Sequence, residues 1–135
     1  MDGDFEFKET VRIYDTDAEG VVNYAGYYRF FSDALEQFAY EKLGKAFPIM
    51  NDRFFFVVVE SHARYYKSAR LGDVLNISIS PELLSEKAVK FNFLIKRDAE
   101  LICEGYITQV MIDKNKWKTV ELPQEVKNKI FHAKS

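Results

Sequence analysis

Around residues 24–44 the hydrophobic period of this chain changes, and on either side of that stretch it is two. Tyr27, Phe30, Phe31, Ala34, Leu35 and Phe38 fall at i, i+3, i+4, i+7, i+8 and i+11, the apolar stripe of an amphipathic helix. The spacing predicts a helix from near Tyr24 to about Leu43, stopped by Gly44 and roughly 28 Å long for ~19 residues. Ahead of it, Phe5, Phe7, Val11 and Ile13 share one face of residues 5–14, with Glu6, Lys8 and Arg12 opposite, which reads as a half-buried strand. Behind it, Phe54–Val59 is a continuous apolar run continuing to Tyr66; Leu75, Ile77 and Ile79 alternate, as do Val89, Phe91, Phe93 and Ile95; Leu101–Ile112 and Trp117–Val120 follow as strands. Lys67–Asp73, Arg97–Glu100 and Asp113–Lys116 are the turns, and Pro123 opens a C-terminal helix. Successive strands with short links favour an antiparallel sheet. The fold class is therefore α+β, with one helix across one sheet face. The other face must meet solvent or another subunit, and the Phe54–Val59 run points to a subunit.

Composition narrows the chemistry. With 135 residues and no repeat, linker or low-complexity tract, residues 1–135 read as a single domain. Lys plus Arg number 19 against 21 Asp plus Glu, which argues against a nucleic-acid module held by a net basic field. No run approaches the ~18 apolar residues that cross a bilayer, and the acidic start Met1-Asp2-Gly3-Asp4 is not a secretory signal. The lone Cys103 forms no internal disulfide, consistent with a cytoplasmic protein, and in its strand-like setting it reads as a buried thiol. His62 and His132 lie far apart and outside any metal-binding spacing, so no metal site is expected. The aromatic share of 16% suits a large apolar interface or pocket, or an aromatic core.

The chemistry sits in the segment Tyr14-Asp15-Thr16-Asp17-Ala18-Glu19-Gly20-Val21-Val22-Asn23-Tyr24-Ala25-Gly26-Tyr27. Asp15, Asp17, Glu19 and Gly20 match the first half of a calcium loop, but the twelfth position, which needs a bidentate Glu, is Gly26, and a strand rather than a helix leads in. Asp15 and Thr16 also suit a purely structural role, capping a turn. A third reading is catalytic. The amino end of a helix offers unpaired N–H groups and a positive dipole end to an oxyanion. If the loop folds back, the Asp17 carboxylate reaches the same space, as general base or as nucleophile. A thioester suits so small a kit, because its carbonyl is weakly resonance-stabilised and its thiolate leaves readily.

The string Asp15-Thr16-Asp17-x-x-Gly20-Val21-Val22-x-Tyr24-x-x-Tyr27, followed by Arg29-Phe30-Phe31, resembles the hotdog-fold acyl-CoA thioesterases of the 4-hydroxybenzoyl-CoA thioesterase type. Tyr65-Tyr66-Lys67-Ser68-Ala69-Arg70-Leu71-Gly72-Asp73 and Leu122-Pro123 resemble later parts of the same family. The resemblance implies a curved antiparallel sheet wrapped around one long central helix, with a short C-terminal helix. It also implies edge-to-edge dimers, often paired into tetramers, with active sites between subunits. It assigns catalysis to Asp17 and oxyanion donation to the Tyr24 backbone N–H, where many relatives carry histidine. Gly20 matches the glycine that lets the loop turn; Gly20, Val22, Tyr27 and Phe31 are the expected substrate contacts, although on a helix stripe Tyr27 and Phe31 also suit the core. Lys87, Lys116 and Lys118 match places where some relatives hold the CoA phosphates, while Ser85 and Glu86 replace basic residues of those relatives; solvated surface lysines are the alternative.

The expected activity is hydrolysis of a small or medium acyl or aryl CoA thioester, with coenzyme A as part of the substrate and no separate cofactor. A non-catalytic acyl-CoA or acyl-carrier-protein binding domain is the alternative. A dehydratase acting on acyl thioesters is more remote, since the helix-start motif has no histidine.

Overall fold

The computed structural model describes residues 5–44 and 52–131; His132 lies outside them. Strand β1 (Glu6–Thr10) leads through a 3-10 turn at Ile13–Asp15 to helix α1 (Gly26–Leu43). Then come β2 (Phe54–Tyr65), β3 (Val74–Leu83), β4 (Ala88–Arg97), β5 (Glu100–Asp113), the short β6 (Lys118–Val120) and helix α2 (Gln124–Phe131). Every pairing is antiparallel, in the order β1-β3-β4-β5-β2, with β6 on β5 beyond the point where β4 begins.

Alternation decides which face holds the core. Leu75, Ile77 and Ile79 of β3 and Val89, Phe91, Phe93 and Ile95 of β4 are all buried, and α1 lies against them. Ile79, Phe93, Gly105 and Ala63 form one row across β3, β4, β5 and β2. Phe31 stacks on Phe93 with ring centroids 4.6 Å apart and fills the space above Gly105. Farther along, Phe38 meets Phe91 and Phe5 edge-on, and at the other end Tyr27 packs on Tyr65 of β2. The helix thus touches residues at both margins of the sheet. It ends as expected at Gly44, whose left-handed φ of 66° lets its N–H reach the Tyr40 carbonyl.

Two strands depart from the sequence reading. The first strand stops at Thr10 instead of Tyr14, so Ile13 and Tyr14 are exposed. The cause is local: the Asp15 carboxylate accepts the Arg12 N–H at 2.8 Å and folds the backbone out of the ladder. Trp117 does not begin a strand but sits in a turn with φ 55°, and β6 starts one residue later. The Phe54–Val59 run, read as pointing to another subunit, lies at a margin of the sheet. β2 is an edge strand, bulged between Val58 and Glu60, and Val58 and Val59 are more than half exposed.

Gly105 is the tightest point of the helix–sheet contact. A Cβ there would lie 2.8 Å from the Phe31 ring and collide with the His62 carbonyl. Gly105→Ala is expected to destabilise the protein by about 1–3 kcal/mol through overpacking, measurable as a lower midpoint in thermal unfolding.

Candidate active site

The loop ahead of α1 is a tight hairpin. Thr16 bridges to Val22, the Asp17 N–H donates to the Val21 carbonyl at 3.0 Å, and the Gly20 N–H donates to the Asp17 carbonyl at 3.0 Å. Gly20 has φ +76°, which a side chain would strain. Oδ1 of Asp17 accepts the Glu19 N–H at 2.8 Å and the Val21 N–H at 3.4 Å. Among the described residues its Oδ2 has no partner, and the side chain is exposed. One oxygen therefore fixes the carboxylate and the other stays unengaged among the described residues.

Two segments far apart in sequence hold this hairpin. It docks on the turn after β2, where the Val22 N–H donates to the Ala69 carbonyl and the Leu71 N–H donates to the Gly20 carbonyl, both at 3.0 Å. That turn is itself fixed by Asp73, whose carboxylate accepts the Arg70 N–H and an Arg97 guanidinium N–H. On the other side stands a buried ion pair. Asp15 takes a two-pronged guanidinium contact from Arg29 of α1, at 2.6 and 2.7 Å. Burial pushes the Asp15 carboxyl up, but the Arg29 and Arg12 hydrogen bonds outweigh it and hold it below its ordinary value. The same guanidinium reaches Glu9 of β1 and Asp33 of α1, and lies over the Tyr14 and Phe30 rings.

Helix α1 begins at Gly26, two residues later than the sequence suggests, because the Gly26 N–H donates to the Asn23 carbonyl at 2.9 Å and to Asn23 Oδ1 at 3.0 Å. The Tyr24 N–H falls outside the helical ladder and meets no acceptor among the described residues. Its carbonyl is held by the Tyr65 hydroxyl at 3.1 Å. Among the described residues, then, an N–H without an acceptor precedes the positive end of α1, and a carboxylate with one oxygen unengaged lies upstream of it.

Asp17, Gly20 and Val22 therefore share one hairpin, and Tyr24 follows it at the approach to α1. Val22, Tyr27 and Phe31 are buried in the chain's own core, and the Tyr27 hydroxyl accepts the Ala69 N–H. Lys87, Lys116 and Lys118 lie at the other end of the sheet, on the β3–β4 turn, the β5–β6 turn and the start of β6. β3 alone spans ten residues, or roughly 30 Å, so they do not reach Asp17 of the same chain. Glu86 beside Lys87 pairs with Lys127 of α2. His62 stacks on Tyr106 on the sheet face away from α1. Cys103 is buried and its thiol is pushed up to about 12 by that burial. No group of three or more metal-ligating side chains occurs among the described residues. The sequence reading missed Tyr65 as a partner of the Tyr24 carbonyl; its place in the Tyr65–Asp73 string was the available signal.

A helix clasped by an antiparallel sheet, with an acid-and-glycine hairpin at the helix start, defines the hotdog class of domains. The profile of the Thioesterase-like superfamily matches residues 11–130, and the chain belongs to that family. The match does not single out the 4-hydroxybenzoyl-CoA branch. The chain is 31% identical to the acyl-CoA thioester hydrolase YbgC of Escherichia coli, over 89% of this chain and 92% of that one. It is 27% identical to a putative esterase of Aquifex aeolicus, over 90% and 94%. Among solved structures, a 1,4-dihydroxy-2-naphthoyl-CoA thioesterase from Synechocystis superposes with a TM-score of 0.86 at 22% identity, covering 93% of this chain and 94% of that one.

The Asp15–Arg29 pair gives a test with a definite sign. A lowered Asp15 carboxyl contributes its stability in full above the unfolded-state value of about 3.9 and loses it as pH falls through the folded value. Glu9 works the other way, since burial, only partly offset by Arg29, raises its carboxyl and favours folding as pH falls. Arg29→Ala strands a buried carboxylate and is expected to cost about 3–5 kcal/mol near neutral pH. Between about pH 5 and pH 3 the variant should lose less further stability than the parent, because the favourable ionisation of Asp15 is already gone. Urea unfolding at the two pH values measures both effects.

Proposed function

We propose that this domain, residues 1–135, hydrolyses a small or medium acyl or aryl thioester of coenzyme A. The observation that carries the reading is the divided Asp17 carboxylate, with Oδ1 fixed by two backbone N–H groups and Oδ2 free, ahead of an unpaired Tyr24 N–H. The name of a relative, an acyl-CoA thioester hydrolase, supports it. In this reading Oδ2 takes a proton from water as the water oxygen bonds to the thioester carbon. The carbonyl oxygen becomes an oxyanion facing the Tyr24 N–H and the helix dipole. The tetrahedral centre then collapses, the C–S bond breaks, and coenzyme A leaves as a thiolate that takes up a proton. Direct attack by Oδ2, giving a mixed anhydride that water opens, uses the same geometry.

The working unit in this reading is a two-fold pair, at least, joined along the outer edge of β2. That edge is long and carries exposed Val58 and Val59, which a lone chain leaves open to pairing. β2 runs from Phe54, near the lysine end of the sheet, to Tyr65, beside Tyr24. Antiparallel pairing about its middle would bring the Asp17 end of one protomer toward Lys87, Lys116 and Lys118 of the other, where cations would meet the CoA phosphates.

Asp17→Asn is expected to lower kcat by about 10²–10⁴-fold while the unfolding midpoint stays put, read by thiol release over a panel of acyl, aryl and hydroxyacyl CoA thioesters. An unimpaired variant would remove Asp17 from the chemistry, and a wild type that binds the panel without turnover would make this a binding domain. Val59→Glu places a charge on the open edge and is expected to yield an inactive monomer in sedimentation. A fully active monomer would refute the shared site.

A further inference from the structure

Trp117 breaks two local rules at once. It is the sole tryptophan of the chain, yet 67% of its surface is exposed, whereas tryptophan is highly buried on average. It also holds a left-handed φ of 55°, a region that a bulky side chain seldom enters. Asp98 shares that φ, but aspartate tolerates it in a hairpin turn. Nothing about a β5–β6 turn requires tryptophan, and glycine would serve the backbone better.

The turn is built to impose this conformation. Asp113 is buried, with Oδ1 accepting the Asn115 N–H at 2.9 Å and the Lys116 N–H at 3.4 Å. Its Oδ2 takes the Arg53 guanidinium at 3.0 and 2.8 Å, and its carbonyl accepts the Trp117 N–H at 2.6 Å. The Lys114 N–H donates to the Arg53 carbonyl, tying the turn to the start of β2. Strain that its surroundings over-determine is a mark of ligand clamps. The indole touches Phe55 at a ring distance of 5.7 Å and a tilt of 46°, which leaves most of its surface open. Lys116 and Lys118 flank it, and among the described residues neither pairs with a carboxylate.

We propose that Trp117 is a stacking platform for the adenine of the CoA carrier, with Lys116 and Lys118 on either side of it meeting the phosphates. A flat aromatic face beside unpaired cations is the chemistry that holds a purine nucleotide. The assignment rests on the reading of the substrate as a CoA thioester, and adds where and how the nucleotide end is gripped.

The emission of the sole tryptophan reports the contact directly. Titration with coenzyme A and with adenosine 3′,5′-bisphosphate is expected to quench it saturably, while pantetheine, which lacks the base and phosphates, leaves it unchanged. Trp117→Gly relieves the backbone strain and should not lower the unfolding midpoint. By calorimetry it should weaken coenzyme A binding roughly tenfold, within the range that stacking supplies, whereas Trp117→Phe should keep most of the affinity. Kinetically, Trp117→Gly should raise KM for an acyl-CoA several-fold more than it raises KM for the matching N-acetylcysteamine thioester. Calorimetric binding of coenzyme A without quenching, or parental affinity in Trp117→Gly, would overturn the platform and leave hydrolysis standing. So would a change of oligomeric state in Trp117→Gly, which would make the ring a subunit contact. Failure of the wild type to bind coenzyme A at all would overturn both readings.

Discussion

The two-pronged contact between Asp15 and Arg29 is the interaction on which the site depends. A carboxylate that is almost wholly buried is tolerable only with its countercharge in place, and the guanidinium fork supplies both charge and direction. Because Arg29 also reaches Glu9 and Asp33, one side chain gathers the end of β1, the turn after it and the first turns of α1. With Asp15 pinned to the helix and Val22 pinned to Ala69, the chain between them has little freedom left. It closes as a hairpin with its turn at Gly20, and the Asp17 carboxylate stands outward.

That economy explains why the two aspartates of one short motif have opposite fates. Asp15 points into the protein and is consumed by structure. Asp17 points out and gives only one oxygen to structure, so its remaining oxygen is oriented before any ligand arrives. Preorganisation of this kind reduces the ordering a reacting complex must undergo. Tyr65 adds the matching restraint on the far side, since its hydroxyl fixes the Tyr24 carbonyl and with it the peptide chain around the unpaired N–H.

Much of the fold was legible because burial is periodic. The stripe from Tyr27 to Phe38, the alternations in β3 and β4, and the Gly44 stop all appear where the pattern puts them. The exceptions are places where side chains bond to nearby backbone. Ile13 continues the alternation of β1 on paper, yet Asp15 captures the Arg12 N–H and throws Ile13 out of the sheet. Trp117 has strong strand propensity, but the Asp113 hydrogen bonds hold it in a turn. Gly105 carries no local signal at all, because its requirement comes from a ring on another element. The motif put Asp17 and Gly20 in the turn ahead of the helix, while the wide separation of Lys87, Lys116 and Lys118 from that turn became visible only with the strand directions. Tyr27 and Phe31 suited either core or pocket on the stripe, and their packing on Tyr65, Phe93 and Ala69 puts them in the core.

The sheet's polarity has a consequence for assembly. An antiparallel sheet places its turns at two opposite ends, and here the ends differ in kind: the carboxylate hairpin, the Tyr24 N–H and the Tyr65 contact at one, three lysines and a strained tryptophan at the other. A carrier that must present a thioester to the first and phosphates to the second is poorly served by one chain, whose own sheet separates them. In the proposed pair, a two-fold axis perpendicular to β2 would reverse one sheet relative to the other and juxtapose unlike ends twice over. The exposed edge, a liability in a lone chain, is in the proposed pair the feature that would make two equivalent sites from two incomplete halves.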